Sequence, residues 1–303
     1  MVPIIHIGYP KTATTWMRNE FYSKLIDYNT IPSQLVYEKL IDFDSAIPEY
    51  SEILKYFNSF AGNFIICNHW FIGTNHNFGY KGYFIREHAQ RLHQLFPNAQ
   101  IVLTIRNQPD IIASTYLQYL TTGGTYSTKR FLQTTRFGKL NDVGLFYYPY
   151  FEYHQVIELY QRLFGEKNVH IFLYEDFRTN KQAFLKAFCN KLGLTFPNAD
   201  INFDKINPRY RRGLVHLIRF KNLFTAKNLI NKRYIVHIPY FFEYSRRFFK
   251  WLNRFSIFGK YASTSGILGK KRMLAIKEYY KNSNQILIDK YGLEGIKKHG
   301  YPL

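Results

Sequence analysis

The stretch "GYPKTATTW", residues 8–16, places one lysine and three threonines directly after a short apolar run. The run at residues 2–8 is typical of a buried strand that ends at a glycine, and a helix is expected over residues 14–25. A loop between a strand and a helix N-terminus exposes unpaired backbone N–H groups and the positive end of the helix dipole. Lys11 adds a positive charge to this loop, and the threonines add hydroxyl donors (Thr12, Thr14 and Thr15). The stretch therefore predicts a site for a phosphate or sulfate group.

The loop differs from a Walker A motif, in which a Gly-Lys pair closes the loop. Lys11 comes early, and the residue directly before it is Pro10 and not a glycine. A nucleotide kinase of the usual P-loop kind is therefore disfavoured, although it stays an alternative. For this stretch taken alone, an ordinary strand–turn–helix with a solvated lysine and a threonine cap also stays open.

A second constellation lies in "TIRNQPDIIASTY", residues 104–116. Arg106 stands at the expected end of a strand, and Ser114 follows eight residues later on the next helix. A guanidinium can bind a phosphate through two hydrogen bonds, and a serine about two turns into the following helix can reach the same anion. The alternative is a structural arginine and a buried helical serine. In "LYEDFRTN", residues 173–180, Tyr174 also follows an apolar strand.

These motifs resemble those of the sulfotransferases that use 3′-phosphoadenosine 5′-phosphosulfate, PAPS. "YPKTATTW" resembles the family's 5′-phosphosulfate loop P-K-[ST]-G-T-T-W, with Ala13 where the family has glycine. "RNQPDIIASTY" resembles its 3′-phosphate site, R-N-x-x-D-x-x-x-S-x-Y, and "LYEDF" resembles its L-x-Y-E-D-[ML] stretch. The ending "YYKNSNQILIDKYGLEGIKKHGYPL" resembles the last helix and YGYP-like end of bacterial sulfotransferase domains. If position 13 requires a positive φ, alanine is strained there.

The resemblance implies PAPS as the cofactor and 3′,5′-ADP as its product. It assigns Lys11 to the leaving 5′-phosphate and Trp16 to a face for adenine. The full set of implied cofactor-binding residues is Lys11, Thr12, Ala13, Thr14, Thr15, Trp16, Arg106, Ser114 and Tyr174.

A base is needed to take the proton of the acceptor hydroxyl, and histidine suits this role near neutral pH. His69 in "FIICNHWFIG" follows a second predicted strand, 58 residues after Lys11, at a place where cytosolic sulfotransferases carry a histidine. Glu38 and Glu20 are the alternatives, since many bacterial relatives use a glutamate. No Cys/His cluster has metal-ligand spacing, so no metal is implied. The presence of Lys11 and His69 argues against a binding protein that has lost catalysis.

Strands predicted over residues 2–8, 64–67, 100–106 and 169–174 alternate with helices predicted over residues 14–25, 87–96, 108–120, 153–164 and 181–192. Solid apolar strands in this alternation predict an α/β fold with a parallel central sheet covered on both faces. With the resemblance, this gives a P-loop-like three-layer fold in one sulfotransferase domain over residues 1–303. Residues 205–270 are basic, aromatic and helical in pattern, and are expected to form an insertion on the same core.

The net charge of +20 favours anionic partners. No recognised nucleic-acid module is present, so nucleic-acid binding is only an alternative. The aromatic and basic stretch at residues 233–261 suits peripheral contact with an anionic membrane, or else a helix pair that buries its aromatics. Residues 121–141 suit an acceptor lid.

Arg211, Arg212 and Gly213 are candidates for closing over the 3′-phosphate. The expected acceptor is the hydroxyl of a glycan or glycolipid.

The two cysteines, Cys67 and Cys189, do not suggest a disulfide framework and are expected to be reduced, buried thiols. The start "MVPIIHIG" lacks the basic region of a signal peptide, and no window holds the ~18 apolar residues of a membrane span. These features predict a cytoplasmic enzyme, with peripheral membrane contact as an option.

Overall fold

Five parallel strands form the central sheet in the order β2–β3–β1–β4–β5. The computed structural model describes residues 2–42, 49–60, 62–73, 82–133, 145–204, 208–225 and 234–303. The strands are β1 (Ile4–His6), β2 (Tyr28–Thr30), β3 (Asn63–Cys67), β4 (Gln100–Ile105) and β5 (Val169–Leu173). This confirms the predicted α/β class with a parallel, P-loop-like sheet.

The helices between the strands include α1 (Thr14–Trp16), α2 (Ser33–Val36), α3 (Tyr50–Asn58), α4 (Ile85–Leu95), α5 (Gln108–Thr121), α6 (Thr128–Phe131) and α7 (Tyr153–Phe164). After β5 come α8 (Tyr174–Thr179), α9 (Lys181–Leu192), α10 (Arg212–Lys221), α11 (Phe241–Leu252), α12 (Thr264–Leu268), α13 (Lys270–Asp289) and α14 (Gly295–Lys298). Shorter turns of 3-10 helix are Tyr22–Lys24, His69–Ile72, Tyr148–Phe151, Glu166–Asn168, Asn222–Phe224 and Ser256–Phe258.

Alternate strand residues face two separate hydrophobic clusters, which gives the three layers. In β4, Ile101 and Leu103 point into a large cluster with α4, α5 and α7, whereas Val102 points into a smaller one with α9. The pattern follows from the pleat, which sends successive side chains to opposite faces of the sheet. Both faces are apolar because helices cover both.

Two elements differ from the sequence prediction. The edge strand β2 was not predicted, because Tyr-Asn-Thr is not an apolar run; it pairs with β3 only along one side. The helix predicted over residues 14–25 is helical throughout but changes type, from α1 to a π-helix at Met17–Phe21 and then the 3-10 turn at Tyr22–Lys24. Another π-helix, Tyr37–Ile41, follows α2.

The described parts of the basic segment, residues 208–225 and 234–270, pack on the main core. Leu214 and Ile218 of α10 and Leu268 of α12 belong to the same buried cluster as α5. Within the described ranges, no helix combines the length and apolar character that crossing a membrane requires.

Candidate functional site

A buried tyrosine anchors the loop after β1 to the protein core. Tyr9 is fully buried, and its hydroxyl donates to the carbonyl of Tyr150 at 3.0 Å. Its ring meets the Tyr153 ring edge-on at 4.9 Å between centroids. The Thr12 hydroxyl donates to the Tyr9 carbonyl at 2.5 Å, so this predicted anion donor is used within the turn.

The backbone of the loop has two residues in the left-handed region. Lys11 has φ of 70° and Ala13 has φ of 64°, a conformation that a Cβ makes costly. Position 13 therefore has a backbone geometry that suits glycine, the residue that the sulfotransferase motif has there. Gly8 has a different constraint: a Cβ there would lie 2.7 Å from Nε2 of the buried His6.

Lys11 and Arg106 lie together at the carboxyl edge of the sheet. The Arg106 guanidinium donates from Nη1 to the Lys11 carbonyl at 2.9 Å and lies 4.5 Å from the centre of the Tyr174 ring. Its Nε is buried and has no hydrogen-bond partner in the described part of the chain. These contacts bring three predicted site residues from three different strand ends into one cluster.

A fourth residue of the cluster, Arg209, was missed by sequence reasoning. The Lys11 side chain reaches solvent, but protein surrounds it on most sides, and this desolvation lowers the Lys11 pKa. The positive charges of Arg106 and then Arg209 lower this pKa further. The Lys11 side chain therefore lies in a field of positive charge, which favours a bound anion.

Asp110 fixes Arg209 from the side of α5. Arg209 Nη2 lies 3.4 Å from Asp110 Oδ1, and its Nη1 donates to the Thr264 hydroxyl at 3.0 Å. Arg178 lies 3.7 Å from the other carboxylate oxygen. Burial alone would raise the Asp110 pKa, but the Thr264 hydrogen bond and the surrounding arginines, Arg106 among them, hold this pKa below its usual value.

Of the two arginines proposed from the sequence, Arg211 contacts other neighbours. Arg211 donates to the carbonyls of Asn253 and Gly259, at 3.0 and 2.7 Å, and Arg212 begins α10. A Cβ at Gly213 would lie 3.2 Å from the Phe258 carbonyl oxygen, so this glycine permits close packing within the helical segment. The sequence "NPRYRRG" shows a dense basic run, but it carries no signal that distinguishes Arg209 from its neighbours.

The remaining residues of the loop differ in exposure. Thr14 is buried and Thr15 is exposed. Trp16 is buried, with its ring 5.0 Å from that of Phe177 and with the Lys181 ammonium 5.6 Å from its centre. Its Nε1 has no hydrogen-bond partner among the residues that the structure describes. The assignment of Trp16 to adenine stays a prediction.

Ser114 lies on α5, seven residues into a helix that starts two residues after Arg106. At ~1.5 Å of rise per residue it stands roughly 9 Å along the axis from Gln108. The serine is buried, at 6% exposure. Its spacing from Arg106 is the predicted one, and its contact with an anion stays a prediction.

His69 begins the 3-10 turn that follows β3. β1 and β3 pair with His6 opposite Cys67, and the Asn68 amide donates to the His6 carbonyl at 3.1 Å. The Cys67 thiol donates to the Thr14 carbonyl at 3.5 Å. His69 is therefore at the same edge of the sheet as the loop, half-buried rather than enclosed.

The two alternative bases lie in different settings. Glu38 is exposed on the π-helix after α2 and accepts a hydrogen bond from Gln34 at 2.7 Å. Glu20 lies half-buried on the π-helix after α1. Across the described ranges, no group of three or more His, Cys, Asp or Glu side chains is arranged to hold a metal ion.

The C-terminal tail supports the Arg106 side of the site. Glu175, buried at the start of α8, accepts from the Asn107 amide at 2.9 Å and from the Tyr301 hydroxyl at 3.0 Å. The Asn107 side chain donates to the Gly300 carbonyl at 2.7 Å. The tail motif noted in the sequence thus packs directly behind the "RN" pair.

Residues 66–198 match the model of a protein family described as "Sulfotransferase family". Over this stretch, the chain is similar to the sulfotransferase family. The matched region contains His69, Arg106, Ser114 and Tyr174, whereas the loop with Lys11 precedes it.

Solved sulfotransferases are similar in outline. One from Alicyclobacillus acidocaldarius is 15% identical, with 74% of this chain and 93% of that chain covered and a TM-score of 0.45. The sulfotransferase domain of the curacin biosynthetic pathway is 12% identical, with 76% and 80% covered and a TM-score of 0.40. A mouse sulfotransferase complexed with PAP is 13% identical, with 100% and 89% covered and a TM-score of 0.48. No curated protein sequence matches the chain significantly.

Proposed function

We propose that the chain is a PAPS-dependent sulfotransferase that transfers a sulfuryl group to the hydroxyl of an acceptor. The observation that carries the proposal is the contact of Arg106 with the Lys11 loop at the carboxyl edge of a parallel sheet, where the charges of Arg106 and Arg209 both lower the Lys11 pKa. In open α/β sheets, ligands bind outside the carboxyl ends of the strands. The similarity of residues 66–198 to the sulfotransferase family suggests which anion these cations would bind.

The residues present fit such a nucleotide. The buried Nε of Arg106 and Nε1 of Trp16 are donors without partners in the described ranges, and a bound anion and an adjacent base would supply acceptors near them. We assign the 5′-phosphate end to Lys11, Thr14, Thr15 and the backbone around Ala13. The 3′-phosphate end is assigned to Arg106 and Ser114, with Arg209 added from the structure.

PAPS, when bound, supplies the sulfuryl group and leaves as 3′,5′-ADP. Lys11 would neutralise the charge that develops on the leaving phosphate oxygen, and it is suited to this because two neighbouring guanidinium groups favour an added negative charge. His69 is proposed to take the proton of the acceptor hydroxyl, with Glu38 and Glu20 as the alternatives. Tyr174 would hold the Arg106 guanidinium in place through its ring.

The acceptor is proposed to be a glycan or glycolipid. The lid proposed for residues 121–141 contains α6, whose Thr128 hydroxyl donates to the Ile267 carbonyl at 3.0 Å; residues 134–141 lie outside the described part. We also propose one catalytic domain over the whole chain, working in the cytoplasm.

Calorimetric titration with 3′,5′-ADP, 5′-AMP and ATP tests the proposal. We expect 3′,5′-ADP to bind clearly more tightly than 5′-AMP. Ser114→Ala should weaken 3′,5′-ADP by roughly tenfold or more, because a hydrogen bond to a charged group is worth about 1.5–3 kcal/mol. Ser283→Ala, a buried helical serine bonded to His154 at 2.8 Å, is the matched control and should leave binding unchanged. Tighter binding of ATP would favour the kinase alternative, and no nucleotide binding would favour the nucleic-acid alternative.

Turnover with labelled PAPS separates the catalytic roles. Lys11→Ala should lower kcat by a factor of about 100 or more, whereas Lys24→Ala, an exposed lysine at the end of the same helical segment, should not. Loss of activity in His69→Ala with intact 3′,5′-ADP binding would support the base assignment. Full activity in that variant would move the assignment to a glutamate.

A further inference from the structure

Helix α11 has two apolar stripes, and only one of them faces the protein. The inward stripe packs on the rest of the chain and consists of Phe242, Phe249 and Leu252. The outward stripe has the spacing i, i+4, i+7 of a single helix face and consists of Tyr244, Phe248 and Trp251, and Phe255 continues it just after the helix ends. These four side chains are 70%, 53%, 49% and 44% exposed. We call them the aromatic ridge.

Three rings of the aromatic ridge contact one another, those of Phe248, Trp251 and Phe255. Phe248 stacks on Trp251 at 5.8 Å between centroids, and Trp251 meets Phe255 edge-on at 4.7 Å. A ridge held by its own contacts loses little side-chain entropy when a second surface covers it. Clustered exposed aromatics of this kind mark interaction sites in soluble proteins.

Aliphatic side chains extend the ridge at both ends of the helix. The chain before α11 exposes Ile235, Val236 and Ile238, of which Ile235 is 72% exposed, and Ile257 after the helix is 85% exposed. The Ile235 amide donates to the Leu223 carbonyl at 2.7 Å, so this segment is held against the protein while its side chains point away. The whole surface therefore combines rings with branched aliphatic groups.

Basic side chains lie beside the aromatic ridge and are also exposed to solvent. Residues 234–261 contain five lysines and arginines and one acidic residue, Glu243, which gives a net charge of +4. Four of the cations lie on or directly after α11 and are exposed: Arg246, Arg247, Lys250 and Arg254. A helix with an apolar stripe beside a basic one is typical of segments that lie in the headgroup region of an anionic bilayer.

We propose that this surface docks the protein on an anionic lipid bilayer, with the aromatic ridge among the acyl chains and the cations at the headgroups. Isoleucine and valine cannot stack on bases, so the aliphatic part of the surface argues against a nucleic acid as the partner. A second copy would place one +4 surface against another, which disfavours a symmetric dimer. Lipid satisfies both the apolar and the charged part.

The Asn253 side chain links the docking surface to the candidate site. Asn253, directly after α11, donates to the Arg209 carbonyl at 3.1 Å and accepts from the Arg211 amide at 2.7 Å. Arg209 is the cation that completes the cluster around Lys11. Docking would therefore hold the edge of the candidate site at a fixed position relative to the bilayer. The inference does not depend on the reaction proposed above.

Co-sedimentation with vesicles tests the docking. The full chain should sediment with phosphatidylcholine vesicles that contain phosphatidylserine, and much less with phosphatidylcholine alone, at about 0.1 M salt where the screening length is ~10 Å. Arg246→Gln/Lys250→Gln should weaken binding roughly 30-fold, since each cation near an anionic surface contributes about fivefold. Lys277→Gln/Lys281→Gln, another exposed pair one turn apart on α13, is the matched control and should bind as the wild type does.

The aromatic ridge has a test of its own. Phe248→Ser/Trp251→Ser should lower vesicle binding at least tenfold and leave the circular dichroism spectrum unchanged, which shows that the variant is folded. Wild-type vesicle binding by this variant would overturn the inference. So would the absence of binding to anionic vesicles, a preference for a random oligonucleotide through the same residues, or a concentration-dependent dimer that leaves the vesicles free.

Discussion

Replacing Ala13 by glycine should affect stability very differently from the same replacement in a helix. Ala13 has φ of 64° and ψ of 17°, where a Cβ costs about 1–2 kcal/mol. Ala187 is exposed within α9, where Ala→Gly costs about 1 kcal/mol. In both variants the new glycine adds the same freedom to the unfolded chain. The difference between the two variants therefore isolates the left-handed strain at Ala13.

The expected magnitude follows from these terms. Relief of the strain at Ala13 is offset by about 1 kcal/mol of unfolded-state entropy, and loss of a partly buried methyl group removes a few tenths more. We expect Ala13→Gly to leave the free energy of unfolding unchanged or to raise it by up to about 0.5 kcal/mol. Ala187→Gly should lower it by about 1 kcal/mol, so that the two variants differ by about 1–1.5 kcal/mol.

Urea unfolding at room temperature, followed by circular dichroism and by tryptophan fluorescence, measures this difference. The midpoints are comparable if the two variants share one m value. Equal destabilisation by the two glycines would refute the reasoning, because it would mean that Ala13 carries no left-handed strain. A glycine at position 13 that weakens the protein more than one at 187 would have the same meaning.

Three further outcomes follow from buried contacts near the site. Gly8→Ala should lower the free energy of unfolding by about 1–3 kcal/mol, because the new Cβ would meet His6 Nε2 at 2.7 Å; thermal denaturation measures this. Burial lowers the His6 pKa from 6.5 to about 3, so the unfolded state binds more protons in this window. Stability should be complete above pH 6.5 and should fall as the pH decreases towards 3, with a weaker slope in His6→Gln, as unfolding at a series of pH values would show. Glu175→Gln should cost about 1–3 kcal/mol, because the Asn107 amide and the Tyr301 hydroxyl donate to different oxygens of Glu175, and in glutamine one of these oxygens becomes an NH2 group; an unchanged unfolding midpoint would contradict this.

The sequence predicted the sheet well where strands are solid apolar runs. β1, β3, β4 and β5 lie within or close to the predicted segments because both faces of the sheet are covered by helices. β2 has only three residues and forms through pairing with β3, which is a tertiary effect without a local apolar signal. The same holds for the π-helices, since a wider turn follows from packing and not from composition.

The site was predictable as far as it depends on strand ends. Lys11, Arg106 and Tyr174 each follow a strand, and a parallel sheet brings such positions to one edge. Arg209 comes from outside this alternation, in a segment where basic residues are dense. Its position depends on Asp110, which is 99 residues away in the sequence. Thr264, which also contacts Asp110, is 154 residues away from that aspartate. Long-range pairings of this kind leave no local pattern.

The thiol of Cys67 gives the loop an intrinsic chemical reporter. Burial raises the pKa of this thiol to about 12, and it contacts the Thr14 carbonyl, so alkylating reagents, which attack the thiolate, reach it only when β3 and the loop separate locally. A ligand that binds only the closed loop slows this labelling by the factor 1 + [L]/Kd. Cys189, on α9 and with a pKa of about 11, serves as the internal reference. The kinetics of Cys67 modification in the native chain thus measure how firmly the loop is closed at Thr14, without an engineered cysteine.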